Sequence, residues 1–176
     1  MKEIEVKVLE VNPDKIRKLL DDIGARKKYE GSVTSRFYDY PGGRIEENGS
    51  LRLRELETHA FLTRKHSKVA DKDAKIYEEI EFDVSNAEDT HKLLTSLGLK
   101  QIEKSQKKRI KWKKSDTEYV LDKYPEIPWL IEVESPNKQK LSEALNKIGY
   151  SLDDTVNWGA TRLHSHYGIE RKDNKQ

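Results

Sequence analysis

The sequence predicts an α+β fold: a closed eight-stranded antiparallel β-barrel, or tunnel, with helices packed on its outside. Two observations predict this fold. Charged residues alternate with aliphatic or aromatic residues along eight short segments, and a strand turns successive side chains to opposite faces. Further segments carry aliphatic residues at helical spacing between recognisable start and stop residues. Eight such strands can close on themselves, and the helices need an apolar surface to cover.

The composition bounds the class of protein. Residues 1–176 are long enough for one domain with its own core, and no change in composition divides them. Charged residues make up 38% of the chain but the net charge is only +2, which argues against a nucleic-acid partner. The absence of Cys excludes disulfides, thiolate catalysis and Cys-ligated zinc. With no long apolar run and a charged N-terminus, we expect a cytoplasmic protein without a membrane partner.

Four segments are predicted to be helices. In the first, Asn12 can cap the helix, Pro13 suits its first turn, and Gly24 is the stop. In the second, Ser85 and Glu88 have the spacing of a capping box. Each of the first three segments has an apolar stripe, whereas the fourth contains a glycine. The predicted helices are 12–24, 85–98, 135–149 and 158–167.

The remaining periodic segments are predicted to be strands. They occur in runs joined by connections short enough for antiparallel hairpins. A charged stretch without apolar anchors, residues 66–75, follows Lys65 directly and is predicted to be a mobile loop at the edge of a site. The predicted strands are 2–10, 32–40, 50–56, 59–67, 76–84, 105–114, 117–124 and 129–135.

The first predicted strand has one charged face and one apolar face, and either face could point inward. Glu3, Glu5 and Lys7 share one face of it, and the aliphatic residues between them share the other. If the apolar face pointed inward, these charges would simply be solvated. The helices, however, have apolar stripes that must be buried, so they are expected to cover the apolar strand face on the outside. The charged face is then expected to point inward.

Acidic pairs and basic pairs lie on separate strands. Burying these charged side chains inside a barrel costs free energy unless a ligand binds both the acidic and the basic groups. Carboxylates suit Mg²⁺ or Mn²⁺, and Arg and Lys suit phosphate oxygens. A polyphosphate that carries a divalent metal would satisfy both. The pairs are Glu79 with Glu81, Glu132 with Glu134, Arg52 with Arg54, and Lys107 with Arg109.

The motif Glu3-x-Glu5-x-Lys7 resembles the E-x-E-x-K signature of the CYTH superfamily, also called triphosphate tunnel metalloenzymes. The resemblance extends along nearly the whole chain, because the other charged strands follow in the family's order. They carry Arg52 and Arg54, Lys65, Glu79 and Glu81, Lys107 and Arg109, Asp122, and Glu132 and Glu134.

The resemblance implies a metal-dependent enzyme, with Mg²⁺ or Mn²⁺ as cofactor, that binds a small-molecule triphosphate. The implied metal ligands are Glu3, Glu5, Glu132 and Glu134. The implied catalytic residues are Lys65, Glu79, Glu81 and Asp122. The implied triphosphate ligands are Lys7, Arg52, Arg54, Lys65, Lys107 and Arg109.

Arg36 stands where many relatives carry an acid. This residue could add a phosphate contact, and we count it among the substrate-binding candidates, or it could pair with a nearby Glu. The C-terminal stretch also departs from the tyrosine-containing end of the characterised cyclases of the family. The departure at the C-terminal stretch favours a triphosphatase over a class IV adenylyl cyclase.

Three alternatives to a triphosphatase stay open at the level of sequence. The first is a class IV adenylyl cyclase, which would use the same charged walls. The second is a binding module that senses polyphosphate or a nucleotide without catalysis. The third is a purely structural barrel whose charges face solvent. A second copy of the chain is a further expected partner, as a homodimer.

Overall fold

The computed structural model describes residues 4–45, 47, 49–68 and 76–169, with the backbone alone at 67–68 and 76–77. Eight strands and four helices follow one another along these residues in the order that the sequence predicts. The strands are β1 (Ile4–Val8), β2 (Arg26–Asp39), β3 (Gly49–Glu55), β4 (Ala60–Lys68), β5 (Ile76–Val84), β6 (Lys100–Lys114), β7 (Thr117–Lys123) and β8 (Leu130–Ser135). The helices are α1 (Pro13–Asp22), α2 (Ala87–Ser96), α3 (Lys138–Lys147) and α4 (Ala160–His166), with a short 3-10 helix at Leu152–Asp154.

The ends of α1 follow local chemistry. The Asn12 side chain accepts a hydrogen bond from the Lys15 amide, which satisfies one of the amides that a helix start leaves unpaired. At the other end Gly24 has a φ of 70°, and the next amide, that of Ala25, donates back to the Leu20 carbonyl at 2.9 Å. Glycine tolerates this left-handed conformation, so the predicted stop is confirmed.

The strands form one antiparallel sheet that is not closed. The strand order is β1-β8-β7-β6-β2-β3-β4-β5, and no pairing among the described residues joins β1 to β5. The prediction of a closed eight-stranded barrel is therefore wrong. Closure needs the two end strands to exchange hydrogen bonds, whereas the outer edge of β1 is engaged elsewhere. The Lys7 amide donates to the Val156 carbonyl, and the Val156 amide donates to the Lys7 carbonyl, both at 2.8 Å.

The described residues fall into two compact units. The first joins the chain up to Gly31 with the chain from Lys107 onward, and the second runs from Ser32 to Gln106. In the first unit α1 and α3 cover the apolar face of β1, β8, β7 and β6. The helical side of this core consists of Ile16, Leu20, Leu141, Ala144, Leu145 and Ile148, and the strand side of Val8, Ile110, Trp112, Tyr119, Leu121, Ile131 and Val133.

A smaller cluster in the same unit holds α4. Leu163 packs there with Ile127 and Leu130. The second unit has a core of its own, in which Leu94 and Leu99 pack against Tyr38 and Leu53. In both units the helices take the apolar strand face, as the sequence predicts, and the acidic and basic pairs are left on the other face; Arg36, opposite Leu53, is an exception.

The structure differs from the prediction at several element ends. β2 begins at Arg26 and β6 at Lys100, earlier than predicted. The prediction missed their first halves because these are charged and lack the apolar alternation that marks a strand. α2 is capped by Asn86, whose side chain accepts from the Asp89 amide, so the predicted Ser85–Glu88 capping box is wrong. α4 begins after Gly159, which is its N-cap and not an interior residue.

The apolar stripe predicted for the second helix is buried only in part. Leu94 is buried, whereas Leu93 and Leu97 are exposed. The covered face of α2 instead runs through Ala87 and Leu94, which pack in the core of the second unit.

Two sequence predictions fall on residues that the structure does not describe. One is Glu3 as a metal ligand, and the other is most of the loop predicted at 66–75, of which 66–68 belong to β4. Within the described ranges, no helix has the length and apolar character needed to cross a membrane.

Candidate functional site

The charged face of the first unit is a register of acids and bases across four neighbouring strands. Lys7 on β1 lies opposite Glu132 on β8, and Arg109 on β6 lies opposite Asp122 on β7. Side chains directly opposite each other on one face of an antiparallel pair have Cβ atoms about 5 Å apart. The alternation seen in the sequence therefore becomes a continuous cluster of ionised groups.

Asp122 is the anion on which two of the cations converge. Its carboxylate Oδ1 accepts from Arg109 Nε at 2.8 Å, and its Oδ2 accepts from Arg109 Nη2 at 2.6 Å. Oδ2 also accepts from Lys107 Nζ at 2.6 Å. The side chain is only 1% exposed. Burial alone would raise the pKa of Asp122, but the charges of Lys107 and Arg109 outweigh it and hold that pKa below its ordinary value.

Lys107 has an unusual setting for an amine. Its Nζ donates to the Tyr124 hydroxyl at 3.2 Å and lies 5.0 Å from the centre of that ring. Burial lowers the pKa of Lys107 to about 8, although Asp122 opposes this shift and Arg109 adds to it. The ammonium is thus charged at neutral pH but close to losing its proton. Tyr124 was not singled out by the sequence, since a lone tyrosine at a strand end carries no signal.

A second group of charges lies on β1 and β8. Lys7 pairs with both Glu5 and Glu132, and its Nζ is 3.2 Å from Glu132 Oε2. The side chains of Lys7 and Glu132 are 12% and 15% exposed, whereas that of Glu5 is 44% exposed. Arg109 Nη2 lies 4.0 Å from Glu132 Oε1, so Glu132 links this group to the Asp122 cluster.

The pKa values of this group reflect burial together with the charges of its neighbours. Burial and the neighbouring Glu132 carboxylate raise the pKa of Glu5. Burial disfavours the charged form of Lys7, but the carboxylates of Glu132 and Glu5 outweigh it and raise the pKa of Lys7. Burial likewise opposes ionisation of Glu132, but Lys7 and Arg109 lower its pKa overall. The arrangement therefore holds two acids near one cation.

A row of acids crosses the same face beside this group. Glu134 lies opposite Glu5 on one side and opposite Glu118 on the other. Glu118 pairs with Lys111 at 2.6 Å and with Lys113 at 3.8 Å. Glu118 was missed by the sequence analysis, although its alternation along T-E-Y-V-L-D-K with Asp122 is the signal that could have found it.

The charged face of the second unit is built on β3, β4 and β5. The register aligns Arg52 with Thr63 and Thr63 with Glu81, and it aligns Lys65 with Glu79. The buried Thr63 hydroxyl donates to Glu81 Oε2 at 2.6 Å, and Lys65 Nζ lies 3.3 Å from Glu79 Oε2. The predicted residues on these strands thus share one face.

Arg54 is on that same face, next to an aromatic ring. Its guanidinium carbon lies 5.5 Å from the centre of the Phe61 ring. Phe61 pairs with Arg54 across β3 and β4. A guanidinium this close to a ring makes a cation–π contact, and the strand register places both groups on the charged face.

Arg36 does not lie with Arg52 and Arg54. It pairs in register with Leu53, which belongs to the apolar face. Its Nε is 2.9 Å from Glu55 Oε1, and its Nη1 is 3.3 Å from Glu88 Oε2 on α2. Of the two alternatives that the sequence left open for Arg36, the structure has the pairing with Glu.

The carboxylates of the first unit offer oxygen donors that a divalent metal could use. Within the residues that the structure describes, no three acidic or histidine side chains are grouped into a ready-made metal site. Mg²⁺, however, commonly binds through one or two carboxylates together with substrate phosphate oxygens. Glu5 and Glu132 offer two such oxygen donors, and the negative charge of Glu132 contributes to the raised pKa of Glu5. The donor chemistry therefore fits Mg²⁺ or Mn²⁺.

The chain is thus an α+β protein. Its antiparallel sheet has helices on the apolar face and alternating acids and bases on the other face. The chain belongs to the CYTH domain family, whose model matches residues 1–160. A Methanocaldococcus jannaschii protein named as a candidate adenylate cyclase is 28% identical over 161 residues, which span 87% of this chain and 90% of that relative.

Solved structures share the fold. A Vibrio parahaemolyticus protein described as a candidate adenylate cyclase has a TM-score of 0.77 at 18% identity, covering 93% of this chain and 97% of that one. A Pyrococcus horikoshii protein has a TM-score of 0.72 at 20% identity, covering 92% and 99%. A Hippeastrum protein described as an adenylyl cyclase candidate with dominant triphosphatase activity has a TM-score of 0.65 at 14% identity, covering 98% and 99%.

Proposed function

We propose that this protein is a divalent-metal-dependent triphosphatase, which removes the terminal phosphate of a triphosphate substrate. The observation that carries the proposal is the cluster of Lys7, Lys107 and Arg109, fixed by Asp122 and Glu132 on one sheet face. Family membership supports an enzyme of this class, and the activity described for the Hippeastrum relative supports hydrolysis.

Phosphoryl transfer depends mainly on the positioning of the reactants and on cations that stabilise negative charge. In phosphoryl transfer, charge is spread over the equatorial oxygens of the transferred group, and fixed donors stabilise it. Arg109 presents a planar guanidinium whose orientation is fixed by Asp122, and Lys107 and Lys7 present compact ammonium groups. Water attacks the terminal phosphorus, the bond from that phosphorus to the bridging oxygen breaks, and the remaining diphosphate leaves with the electron pair.

Glu5, Glu132 and Glu134 are the proposed metal ligands in the described chain. A bound Mg²⁺ or Mn²⁺ would neutralise phosphate charge and lower the pKa of a water molecule. On the second unit we propose that Arg52, Arg54 and Lys65 bind phosphate, with Glu79 and Glu81 as further groups for metal or water. These roles rest on the family resemblance together with the shared face that β3, β4 and β5 give these residues.

Cyclisation of ATP is the second candidate function. The name of the Methanocaldococcus jannaschii relative favours it. In this reaction the ribose 3′-hydroxyl attacks the α-phosphorus and pyrophosphate leaves. The same cationic cluster would serve that reaction, so the products must separate the two functions.

A product analysis tests the proposal. With Mn²⁺ or Mg²⁺ present, we expect tripolyphosphate to give pyrophosphate and phosphate, and ATP, if accepted, to give ADP and phosphate, as followed by phosphorus-31 NMR. EDTA and the Glu132→Gln substitution should abolish turnover. Lys113→Met is the matched control, because Lys113 is an exposed partner of Glu118. Cyclic AMP as the main product would replace hydrolysis by cyclisation, and binding of tripolyphosphate without any product would make the protein a sensor.

The lowered pKa of Lys107 predicts a pH dependence of binding. Below its pKa of about 8 the ammonium is charged, and above it the charge is lost. We therefore expect the affinity for tripolyphosphate in EDTA to fall by about tenfold from neutral to alkaline pH, the value of one charge-assisted hydrogen bond. Calorimetric titrations of wild type and Lys107→Arg across this range measure it.

The Lys107→Arg variant also controls for the titration of the ligand. Arginine stays charged throughout the range, so this variant should bind with a flatter pH profile. Equal slopes for the two proteins would show that Lys107 does not contribute its charge to binding.

A further inference from the structure

The Lys7 ammonium lies between the carboxylates of two of the proposed metal ligands. It pairs with the carboxylates of Glu5 and Glu132, at 3.2 Å from Glu132 Oε2. The side chains of Lys7 and Glu132 are both largely buried. Two carboxylates held this close on one face repel each other unless a positive charge lies between them. In the structure the Lys7 ammonium supplies that charge.

The backbone of Lys7 is fixed on both sides. It pairs with Glu132 of β8 in the sheet register, and on its other edge it exchanges two hydrogen bonds of 2.8 Å with Val156. The strand itself is therefore held. The side chain is a flexible four-carbon stem with a strongly hydrated charge at its end, so the ammonium can change partners without a movement of the strand.

We propose that Lys7 and the divalent metal compete for Glu5 and Glu132, so that metal binding releases the Lys7 ammonium to take up an anion; this inference rests on the proposed function for the identity of the metal ligands. Lys7 then serves the site twice. It neutralises the carboxylate pair when no metal is bound, and it is a phosphate ligand when one is. Because a coupling between two ligands is reciprocal, metal and triphosphate favour each other's binding through this one side chain.

The opposite expectation follows if Lys7 is an ordinary member of the site. A lysine that merely completed a binding surface would add to metal affinity through the order it imposes on Glu5 and Glu132. Its removal would then weaken metal binding or leave it unchanged. A competing lysine predicts instead that its removal strengthens metal binding, and the sign of the change separates the two cases.

The first test measures Mn²⁺ affinity by calorimetry, with the metal alone and no phosphate present. We expect Lys7→Met to bind Mn²⁺ at least about fivefold more tightly than wild type, the lower end of common coupling energies. Lys111→Met is the matched control, because it removes the same charge from the same sheet face but from a pair with Glu118. Mn²⁺ affinity of this control should stay within about twofold of wild type, since screened charges act weakly at a distance.

The second test uses the unaltered protein, so that it does not depend on the folding of a variant. Trace acetylation followed by peptide mass spectrometry reports how reactive each lysine amine is. We expect Mg²⁺ alone to raise the reactivity of Lys7, because the ammonium leaves its two carboxylates, and to leave that of Lys111 unchanged. Unchanged or lowered reactivity of Lys7 would overturn the proposal.

The outcomes separate this inference from the proposed function. Tighter Mn²⁺ binding by Lys7→Met, without turnover of any triphosphate by wild type, would support the competition and overturn the triphosphatase. Metal-dependent turnover by wild type, with weaker or equal Mn²⁺ binding by Lys7→Met, would overturn the competition alone. An equal gain in Lys111→Met would also overturn it, since the effect would then be one of net charge.

Discussion

Replacing Asp122 by Asn is expected to lower the free energy of unfolding by about 3–5 kcal/mol, the usual loss when one partner of a buried ion pair is removed. The carboxylate accepts three hydrogen bonds of 2.6–2.8 Å from Lys107 and Arg109. The substitution leaves those two cations buried without their main counterion. The neutral amide of Asn has a similar size, so the loss reports charge and hydrogen bonding and not a cavity.

The stability of the wild type should carry a matching pH signature. Lys107 and Arg109 hold the pKa of Asp122 below its ordinary value of 3.8, against the effect of burial. A carboxyl whose pKa is lowered by folding contributes stability above the unfolded pKa, and that contribution is lost as the pH falls through the folded pKa. The difference between wild type and Asp122→Asn should therefore be largest near neutral pH and shrink below about pH 4.

Urea denaturation at several pH values measures the Asp122 effect. Asp116→Asn is the control, because Asp116 pairs with Lys140 at an exposed position, and it should unfold like wild type. A polyanion should also stabilise Asp122→Asn more than wild type, since the two cations then lack their main counterion. A loss of stability that does not change with pH, and that tripolyphosphate does not relieve, would contradict the ionic role of Asp122.

The charged face itself could be predicted from sequence because it depends on local alternation. Glu5 and Lys7 must share a strand face whatever the rest of the chain does, and the stripe of α1 ending at Gly24 demands an apolar surface to cover. Both inferences use spacings of only a few residues. The pairing of Lys7 with Glu132 required one further fact, the register of β1 on β8.

Closure of the sheet could not be predicted in the same way. It is decided by which backbone groups occupy the outer edge of β1, and these belong to Val156, about 150 residues further along the chain. Nothing in the residues around Val156 marks it as a bridge partner. The alternation of eight strands is equally compatible with an open sheet.

The face of Arg36 was also beyond local reasoning. In S-R-F-Y-D-Y both alternating sets contain an aromatic residue, so the pattern does not say which set is apolar. A shift of one residue in the pairing of β2 with β3 would exchange the two faces. The observed register places Arg36 opposite Leu53, and that single choice sends its guanidinium to Glu55 and Glu88.

The role of Asp122 shows a third limit. The family resemblance implied a catalytic role for Asp122. The sequence around it, V-L-D-K, does not show which cations its carboxylate pairs with, so a positioning role could not be predicted. In the structure its oxygens face Arg109 and Lys107. These contacts support a positioning role, in which Asp122 orients two phosphate-binding cations.

Replacing Arg109 by Lys is expected to lower kcat for the triphosphate substrate by about 100- to 1000-fold, the loss seen when one donor to a developing charge is removed. Arg109 uses Nε and Nη2 on Asp122 in a fork–fork arrangement, which fixes the plane of the guanidinium. Its Nη2 is also 4.0 Å from Glu132 Oε1. Lysine keeps the charge but cannot reproduce this planar geometry.

Because the charge is kept, the free energy of unfolding should change much less than in Asp122→Asn. This contrast separates the two effects on one ion pair: Asp122→Asn removes charge, and Arg109→Lys removes geometry. Steady-state rates of phosphate release, taken with urea denaturation of the same preparation, measure both quantities. Arg17→Lys is the matched control, since Arg17 on α1 bonds to Glu30 away from the charged face, and its kcat should equal that of wild type.

The separate changes in kcat and KM distinguish two roles for Arg109. If Arg109 stabilises charge that develops during the reaction, kcat falls while KM changes little; if it only captures the substrate, KM rises while kcat is kept. The fixed orientation of the guanidinium between Asp122 and Glu132 favours the first outcome, because donors that are already in place need no rearrangement as the bond breaks. A variant with wild-type kcat and reduced stability would instead make Arg109 a purely structural partner of Asp122.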